Sequence, residues 1–89
     1  MQNEHQIIRA VEAAKTDAQK ADELIRSYLP FIRAEASKAI SRPCTEQDDE
    51  FSIAMIAFHE AILGYERRRG AFLPYAALLI RSRVIDHQR

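Results

Sequence analysis

Residues 48–89 read DDEFSIAMIAFHEAILGYERRRGAFLPYAALLIRSRVIDHQR, and the spacing of apolar residues in this stretch decides the fold. An α-helix turns about 100° per residue, so side chains three or four positions apart share a face. Thr45 followed by Asp48 is typical of a capping box, which predicts a helix over residues 48–65. The predicted core face of this helix consists of Phe51, Ala54, Met55, Phe58, Ala61, Ile62 and Tyr65.

The same helix carries a second apolar face. Ile53, Ile56 and Leu63 project away from the core face, among Asp49 and Glu60, where the helix of a small domain is normally polar. Two interpretations are open at this point. Either the first helix of the chain folds back over this face, or a separate protein docks on it.

A basic turn leads to the last helix. Gly70 follows three arginines and is suited to a positive φ, and Pro74 is suited to the first turn of a helix. The side predicted to pack in the core carries Ala76, Ala77, Ile80 and Val84. The other side carries Tyr75, Leu78, Leu79, Ser82, Ile85, Asp86 and Arg89, bordered by Arg81 and Arg83. That side is either a surface on which an unstacked base rests while arginines neutralise phosphates, or a second buried face with arginines at its rim.

The N-terminal half is also predicted to be helical. Asn3 with Gln6 forms a capping-box pattern, and Ile7, Val11 and Ala14 follow at helical spacing. Thr16 with Gln19 repeats the capping pattern, and the core face of the longer second helix is predicted to carry Ala21, Ile25, Tyr28, Ile32, Ala36 and Ala39. Pro30 is expected to kink this helix without dividing it. Since no alternation of period two persists, the predicted fold class is all-α, a compact bundle of about four helices.

Composition places the chain among soluble globular proteins. Its 89 residues are 47% hydrophobic and 29% charged, and we expect residues 1–89 to form a single domain. The apolar runs are too short to span a bilayer, and residues 1–5 lack the features of a secretory signal. A cytoplasmic location without membrane contact is therefore expected. Cys44 is the only cysteine, which excludes an internal disulfide, and it is interpreted as a small loop or core residue.

The net charge is zero, but the charges are unevenly placed. Residues 44–66 contain six acidic residues and no Lys or Arg, whereas residues 67–89 contain six arginines and one acidic residue, Asp86. This separation favours two partners on two surfaces, with phosphate a candidate for the basic one. The alternative is that the two segments form solvated faces that pair with each other.

Residues that could support catalysis or metal binding are scattered. His5, His59 and His87 lie on different predicted helices without metal-ligand spacing, and Cys44 has no activating neighbour in sequence. The acidic run of residues 48–50 is interpreted as stabilising the dipole at a helix start. We therefore predict a protein that is not an enzyme and that carries no cofactor or metal.

The order of features in residues 48–89 resembles the second region of the sigma-70 family of bacterial transcription factors. An acidic start, an Ile/Ala-rich helix, a basic turn ending in glycine, an aromatic-Tyr-Ala segment and an Ile-Arg pair follow one another at family spacing. The DDEFSI start and the RVID ending are similar to the sigma-I type of alternative sigma factor. The segment ADELIRSYLPFIRAEASKAI, residues 21–40, is similar to the preceding helix of the family.

The resemblance implies an alternative sigma factor domain that binds core RNA polymerase and recognises and melts the upstream promoter hexamer. Its acidic helix would dock on a coiled coil in the clamp of the largest subunit. The residues implied in docking are Asp49, Ser52, Ile53, Ile56, Glu60 and Leu63. Because Ser52, Ile53 and Ala54 stand where primary members carry Gln-Glu-Gly, the docking is expected to be more apolar.

The resemblance also implies that promoter DNA, including the opened non-template strand, is a partner. Phe72 and Tyr75 match the aromatics that capture a flipped base, and Leu78 and Leu79 stand where housekeeping members carry tryptophans. Weaker melting and a strict promoter requirement are therefore expected. The duplex-reading residues implied are Ser82, Arg83, Ile85, Asp86 and Arg89, and the full DNA-binding set adds Arg67, Arg68, Arg69 and Arg81.

Three further expectations complete the interpretation. An anti-sigma protein is implied as a partner at the same docking surface. Because the sequence stops in mid-helical pattern, it is expected to be an excised N-terminal domain of a longer sigma factor. Two rival functions are a helical protein-interaction adaptor, which would not bind single-stranded DNA, and a duplex-only helix-turn-helix domain, which would not associate with polymerase.

Overall fold

The first helix, α1, spans Glu4–Ala14 and begins as predicted. The computed structural model describes residues 3–89, so Met1 and Gln2, part of the segment predicted not to be a secretory signal, lie outside the described residues. Asn3 and Gln6 form the capping box: each side chain accepts a hydrogen bond from the backbone N–H of the other. Ile7, Val11 and Ala14 are buried, which confirms the predicted apolar stripe.

The predicted second helix is two helices, α2 (Ala18–Ser27) and α3 (Leu29–Ile40), joined at Tyr28. The expectation of one kinked helix is wrong because Pro30 lies in the first turn of α3, where its missing N–H leaves no intrahelical bond unmade. The capping prediction for Thr16 is also wrong. Asp17 is the N-cap of α2, and its carboxylate accepts hydrogen bonds from the N–H groups of Gln19 and Lys20.

The C-terminal half contains α4 (Asp49–Gly64), a short 3₁₀ turn at Arg67–Arg69, and α5 (Phe72–Gln88). Helix α4 starts within one residue of the predicted position, but its N-cap is Asp48 and not Thr45, so the capping-box prediction for Thr45 is wrong. The Asp48 carboxylate accepts a hydrogen bond from the N–H of Thr45 at 2.8 Å. Gly70 has φ +88°, which confirms the predicted left-handed position after the arginines. Residues 3–89 contain five α-helices and no strand, and the all-α fold class is confirmed.

The core is built around α4, which contacts the other four α-helices and packs most extensively on α5. The ring of Phe58 lies at its centre, stacked on Tyr28 at 6.0 Å between centroids and edge-on to Phe31 and Phe72. The core faces predicted for α4 and α5 are buried except Met55, which is half-buried. Of the positions predicted in α2 and α3, Ile25 and Ala39 are half-buried and the rest are buried.

Cys44 lies in the loop between α3 and α4 and is buried, in agreement with its prediction as a small loop or core residue. Burial raises the pKa of its thiol, so the nucleophilic thiolate is disfavoured. Within the described chain, no helix combines the length and the apolar character needed to cross a bilayer. No group of three His, Cys, Asp or Glu side chains in residues 3–89 is placed to hold a metal ion.

Candidate protein-docking and nucleic-acid interfaces

The outward side of α4 is an exposed apolar surface, which we call the apolar docking face and define by Ile53, Ile56 and Leu63. The side chains of Ile56 and Leu63 are 61% and 54% exposed, and Ile53 is half-buried. Helix α1 does not cover this face, so the interpretation in which the first helix folds back over it is wrong. Exposed aliphatic side chains of this size favour a partner that removes them from water.

Polar residues border the apolar docking face. Asp49 and Ser52 are exposed at the start of α4, where the Asp49 carboxylate also stabilises the helix dipole. Glu60 is exposed further along and pairs with Arg83 of α5, with 3.3 Å between Oε2 and the guanidinium Nη2. All six residues predicted for docking therefore lie on one side of α4, and one of them is linked to the residue set predicted for DNA.

The loop of residues 66–71 between α4 and α5 presents the three arginines to solvent. Arg67, Arg68 and Arg69 form the 3₁₀ turn and all are exposed. Arg68 pairs with Glu66, so part of the basic charge is neutralised locally. The guanidinium of Arg69 lies over the ring of Tyr75, 5.2 Å from its centroid.

Phe72 is a core residue, and its predicted role as a surface for a flipped base is wrong for this fold. Its side chain is fully buried, edge-on to Phe58 at 5.5 Å and to Tyr65 at 5.3 Å. The reason is that α5 begins at Phe72, two residues before Pro74, so the helical register directs this ring inward. Tyr75 lies one turn further on and is half-buried, with its ring under Arg69.

The outward side of α5, which we call the nucleic-acid face, is exposed over three turns. Leu78 is 65% exposed and Ile85 is 40% exposed, while Leu79 is half-buried. The polar members of the predicted set, Arg81, Ser82, Arg83, Asp86 and Arg89, are all exposed. The alternative of a helix buried on both faces is therefore wrong. Apolar, aromatic and guanidinium groups lie together on this side, as binding of an unstacked strand requires.

Glu35 is a buried carboxylate that sequence reasoning did not identify. Its side chain is only 8% exposed, with Lys38 Nζ 3.1 Å from Oε2 and Arg81 Nε 3.3 Å from Oε1. The contact with Arg81 is an ion pair without a hydrogen bond, because Arg81 Nε donates to the backbone oxygen of Ala77 at 3.4 Å. Helical spacing gives no signal for this pair, since 46 positions separate its members.

The acidic and basic segments pair with each other only in part. Glu60 with Arg83 and Glu66 with Arg68 join the two segments, but both pairs are surface contacts of the kind that contributes about 0–1 kcal/mol. Arg67 and Arg89 form no ion pair among the described residues. The basic segment therefore keeps guanidinium groups available for phosphate.

Comparison with known proteins identifies the class of this domain. Residues 24–89, which hold both faces and the loop between them, match the family described as Sigma-70 region 2. The chain belongs to this family.

Two relatives show where in the family it falls. It is 41% identical over 83 residues to RNA polymerase sigma factor SigI of Bacillus subtilis, an alignment covering 92% of this chain and 32% of the relative. It is 50% identical over 66 residues to SigI of Bacillus anthracis, covering 73% of this chain and 28% of the relative. The chain thus spans about a third of the length of these relatives.

Proposed function

We propose that the chain is the domain of an alternative sigma factor that binds core RNA polymerase and opens the upstream promoter hexamer. The single observation that carries the proposal is the apolar docking face, with Ile56 and Leu63 more than half exposed, in a member of the Sigma-70 region 2 family. In the isolated chain that face is exposed to water, and a helix of the polymerase clamp would cover it.

Docking is proposed to be driven by apolar burial. Moving a Leu or Ile side chain from full exposure to full burial is worth about 1.5–3 kcal/mol. Because Ile56 and Leu63 are a little more than half exposed, covering each of them is worth roughly half of that value. Half-buried Ile53 extends the apolar centre of the proposed interface, while Asp49 and Ser52 form a polar rim that fixes the orientation of the partner. An anti-sigma protein is proposed to compete for this same face.

Promoter opening is proposed to use the loop of residues 66–71 and the nucleic-acid face. A base flipped from the non-template strand would displace the guanidinium of Arg69 from the ring of Tyr75 and stack there, and nearby arginines would neutralise its phosphates. Flipping costs a few kcal/mol, and stacking returns about 1–3 kcal/mol per base, so the balance is close. Leu78 offers no large aromatic surface for the opened strand, which supports a factor that melts weakly and requires a strict promoter.

The chain is proposed to act by binding alone, without covalent chemistry, cofactor or metal, in the cytoplasm where polymerase works. The buried thiol of Cys44 supports this, since its raised pKa makes it a poor nucleophile. Duplex recognition further along the promoter is proposed for Ser82, Arg83, Ile85, Asp86 and Arg89, all of which are exposed.

Co-purification with core RNA polymerase, combined with binding to single-stranded DNA across a salt series, tests the proposal against its rivals. We expect the chain to bind both, with the DNA affinity falling as salt rises. An interaction adaptor would bind no single-stranded DNA, and a duplex-only DNA-binding domain would bind duplex DNA without polymerase. Either result would overturn the proposed function.

A further inference from the structure

Helix α1 lies outside residues 24–89, the part that matches the family, yet it contacts both ends of the loop between α4 and α5. Glu4 Oε1 accepts a hydrogen bond from the backbone N–H of Phe72 at 3.3 Å, across 68 positions of sequence. The ammonium group of Lys15, the C-cap residue of α1, donates to the backbone oxygen of Tyr65, across 50 positions. These two bonds join the ends of α1 to the two ends of a six-residue loop.

The two backbone groups that α1 satisfies are ones that helices leave unpaired. The N–H of Phe72 is the first of α5, and Ala71, the N-cap, has no side chain that could accept from that end of the helix. The oxygen of Tyr65 belongs to the C-cap of α4, where carbonyls lack an intrahelical donor. The Glu4 carboxylate lies at the N-terminus of α5 and the Lys15 ammonium lies at the C-terminus of α4. Each therefore has the charge that the dipole of the contacted helix favours.

The interior side of the loop is fixed as well. The rings of Tyr65 and Phe72 are both fully buried and meet edge-on, and the Tyr65 hydroxyl donates to the oxygen of Gly70. Helix α1 is itself held against the core by Ile7 and Val11, both buried. Because α1 is packed on the core, Glu4 and Lys15 are held in place. Their hydrogen bonds therefore fix the backbone at both ends of the loop.

We propose that Glu4 and Lys15 are positioning residues that hold the loop of residues 66–71 in the geometry that presents its arginines to a nucleic-acid strand. The role rests on the proposed function, because the loop is taken to contact DNA. Neither residue touches the strand. Each acts through a backbone atom at the boundary of the loop, so α1 is a brace for the nucleic-acid interface.

Charge makes the proposal testable. Glu4→Gln removes a negative charge and Lys15→Met removes a positive one, so a purely electrostatic role predicts opposite effects on DNA affinity. A positioning role predicts that both variants weaken binding to a mixed-sequence single-stranded oligonucleotide, each by about three- to tenfold, as expected for losing part of a charge-assisted hydrogen bond. Lys15→Arg keeps a charged donor and is expected to retain most of the affinity.

Matched controls separate positioning from overall charge. Glu23→Gln and Lys20→Met make the same charge changes at exposed sites of α2. They are expected to move the affinity in opposite directions and by less than about twofold, as screened surface charges do. In hydrogen exchange, backbone amides of residues 66–72 should exchange faster in Glu4→Gln and Lys15→Met than in the parent, while amides at the centre of α4 stay protected.

The two measurements also distinguish failure of this proposal from failure of the proposed function. If the parent chain binds no single-stranded DNA, the function fails, and the exchange of residues 66–72 still decides whether α1 braces the loop. If Glu4→Gln raises the affinity while Lys15→Met lowers it, or if loop exchange is unchanged in both, the brace is refuted. A variant that unfolds is identified by exchange at the centre of α4, and Lys15→Arg then provides the comparison.

Discussion

Replacing Phe72 by leucine separates a core role from a DNA-stacking role. The ring is fully buried and makes two edge-on contacts, with Phe58 and Tyr65. Each aromatic pair is worth about 0.5–1.5 kcal/mol beyond area burial, and the smaller side chain also leaves a cavity. We expect Phe72→Leu to lower the free energy of unfolding by about 2–3 kcal/mol, which corresponds to a fall in Tm of roughly 10–20 °C for a domain of this size.

The assay combines thermal unfolding followed by circular dichroism with single-stranded DNA binding below the transition of both proteins. The folded Phe72→Leu variant should retain more DNA affinity than Tyr75→Leu, because the buried Phe72 ring supports the loop from the inside and does not reach the strand. Tyr75→Leu is the matched variant on the half-buried ring, where losing one stacked base should weaken binding by about 1–3 kcal/mol. Unchanged unfolding with lost DNA binding in Phe72→Leu would refute the assignment of this ring to the core.

Three further predictions follow from single contacts. A Cβ at Gly64 would lie 3.1 Å from the Tyr75 hydroxyl, so Gly64→Ala should shift that hydroxyl by a few tenths of an ångström and weaken single-stranded DNA binding; unchanged affinity would contradict this. Hydrogen bonding from the Thr45 N–H lowers the pKa of the Asp48 carboxyl, so its contribution to stability is present above the unfolded-state pKa and is lost as acid protonates it. Asp48→Asn should therefore reduce the difference between urea midpoints at neutral and acid pH, and an unaltered difference would count against it. Because burial raises the pKa of Cys44, iodoacetamide should alkylate the native thiol at neutral pH far more slowly than the urea-unfolded one, and equal rates would show that it is accessible.

Local patterns in the sequence predicted most helix positions. The Asn3 capping box, the stripe from Phe51 to Tyr65 and the positive φ of Gly70 all depend on neighbours within a few residues, and the structure has each of them. The errors arose where two local rules compete. At Pro30 the sequence is compatible with a kink or with a new first turn, and packing of α3 on the core selects the second.

The sequence predicted which apolar residues are exposed on the two interfaces, but not the burial of Phe72 or the contacts between distant helices. Exposed Ile56 and Leu78 follow from helical period, because both lie opposite a core face. The burial of Phe72 depends on where α5 begins, a boundary that period alone leaves uncertain by several residues. The contact between Glu35 and Arg81 joins elements distant in sequence, so no pattern in a single chain reports it.

Binding of core RNA polymerase to Ile56→Asp, compared with Leu78→Asp, tests the central claim most directly. Both parent side chains are more than half exposed, at 61% and 65%, so neither substitution buries a charge within the domain itself. The account predicts that Ile56→Asp weakens polymerase binding by tenfold or more, about 1.4 kcal/mol at the least, because docking would desolvate an unpaired carboxylate. It predicts that Leu78→Asp binds polymerase like the parent. Undiminished polymerase binding by a folded Ile56→Asp variant would contradict the proposed docking face.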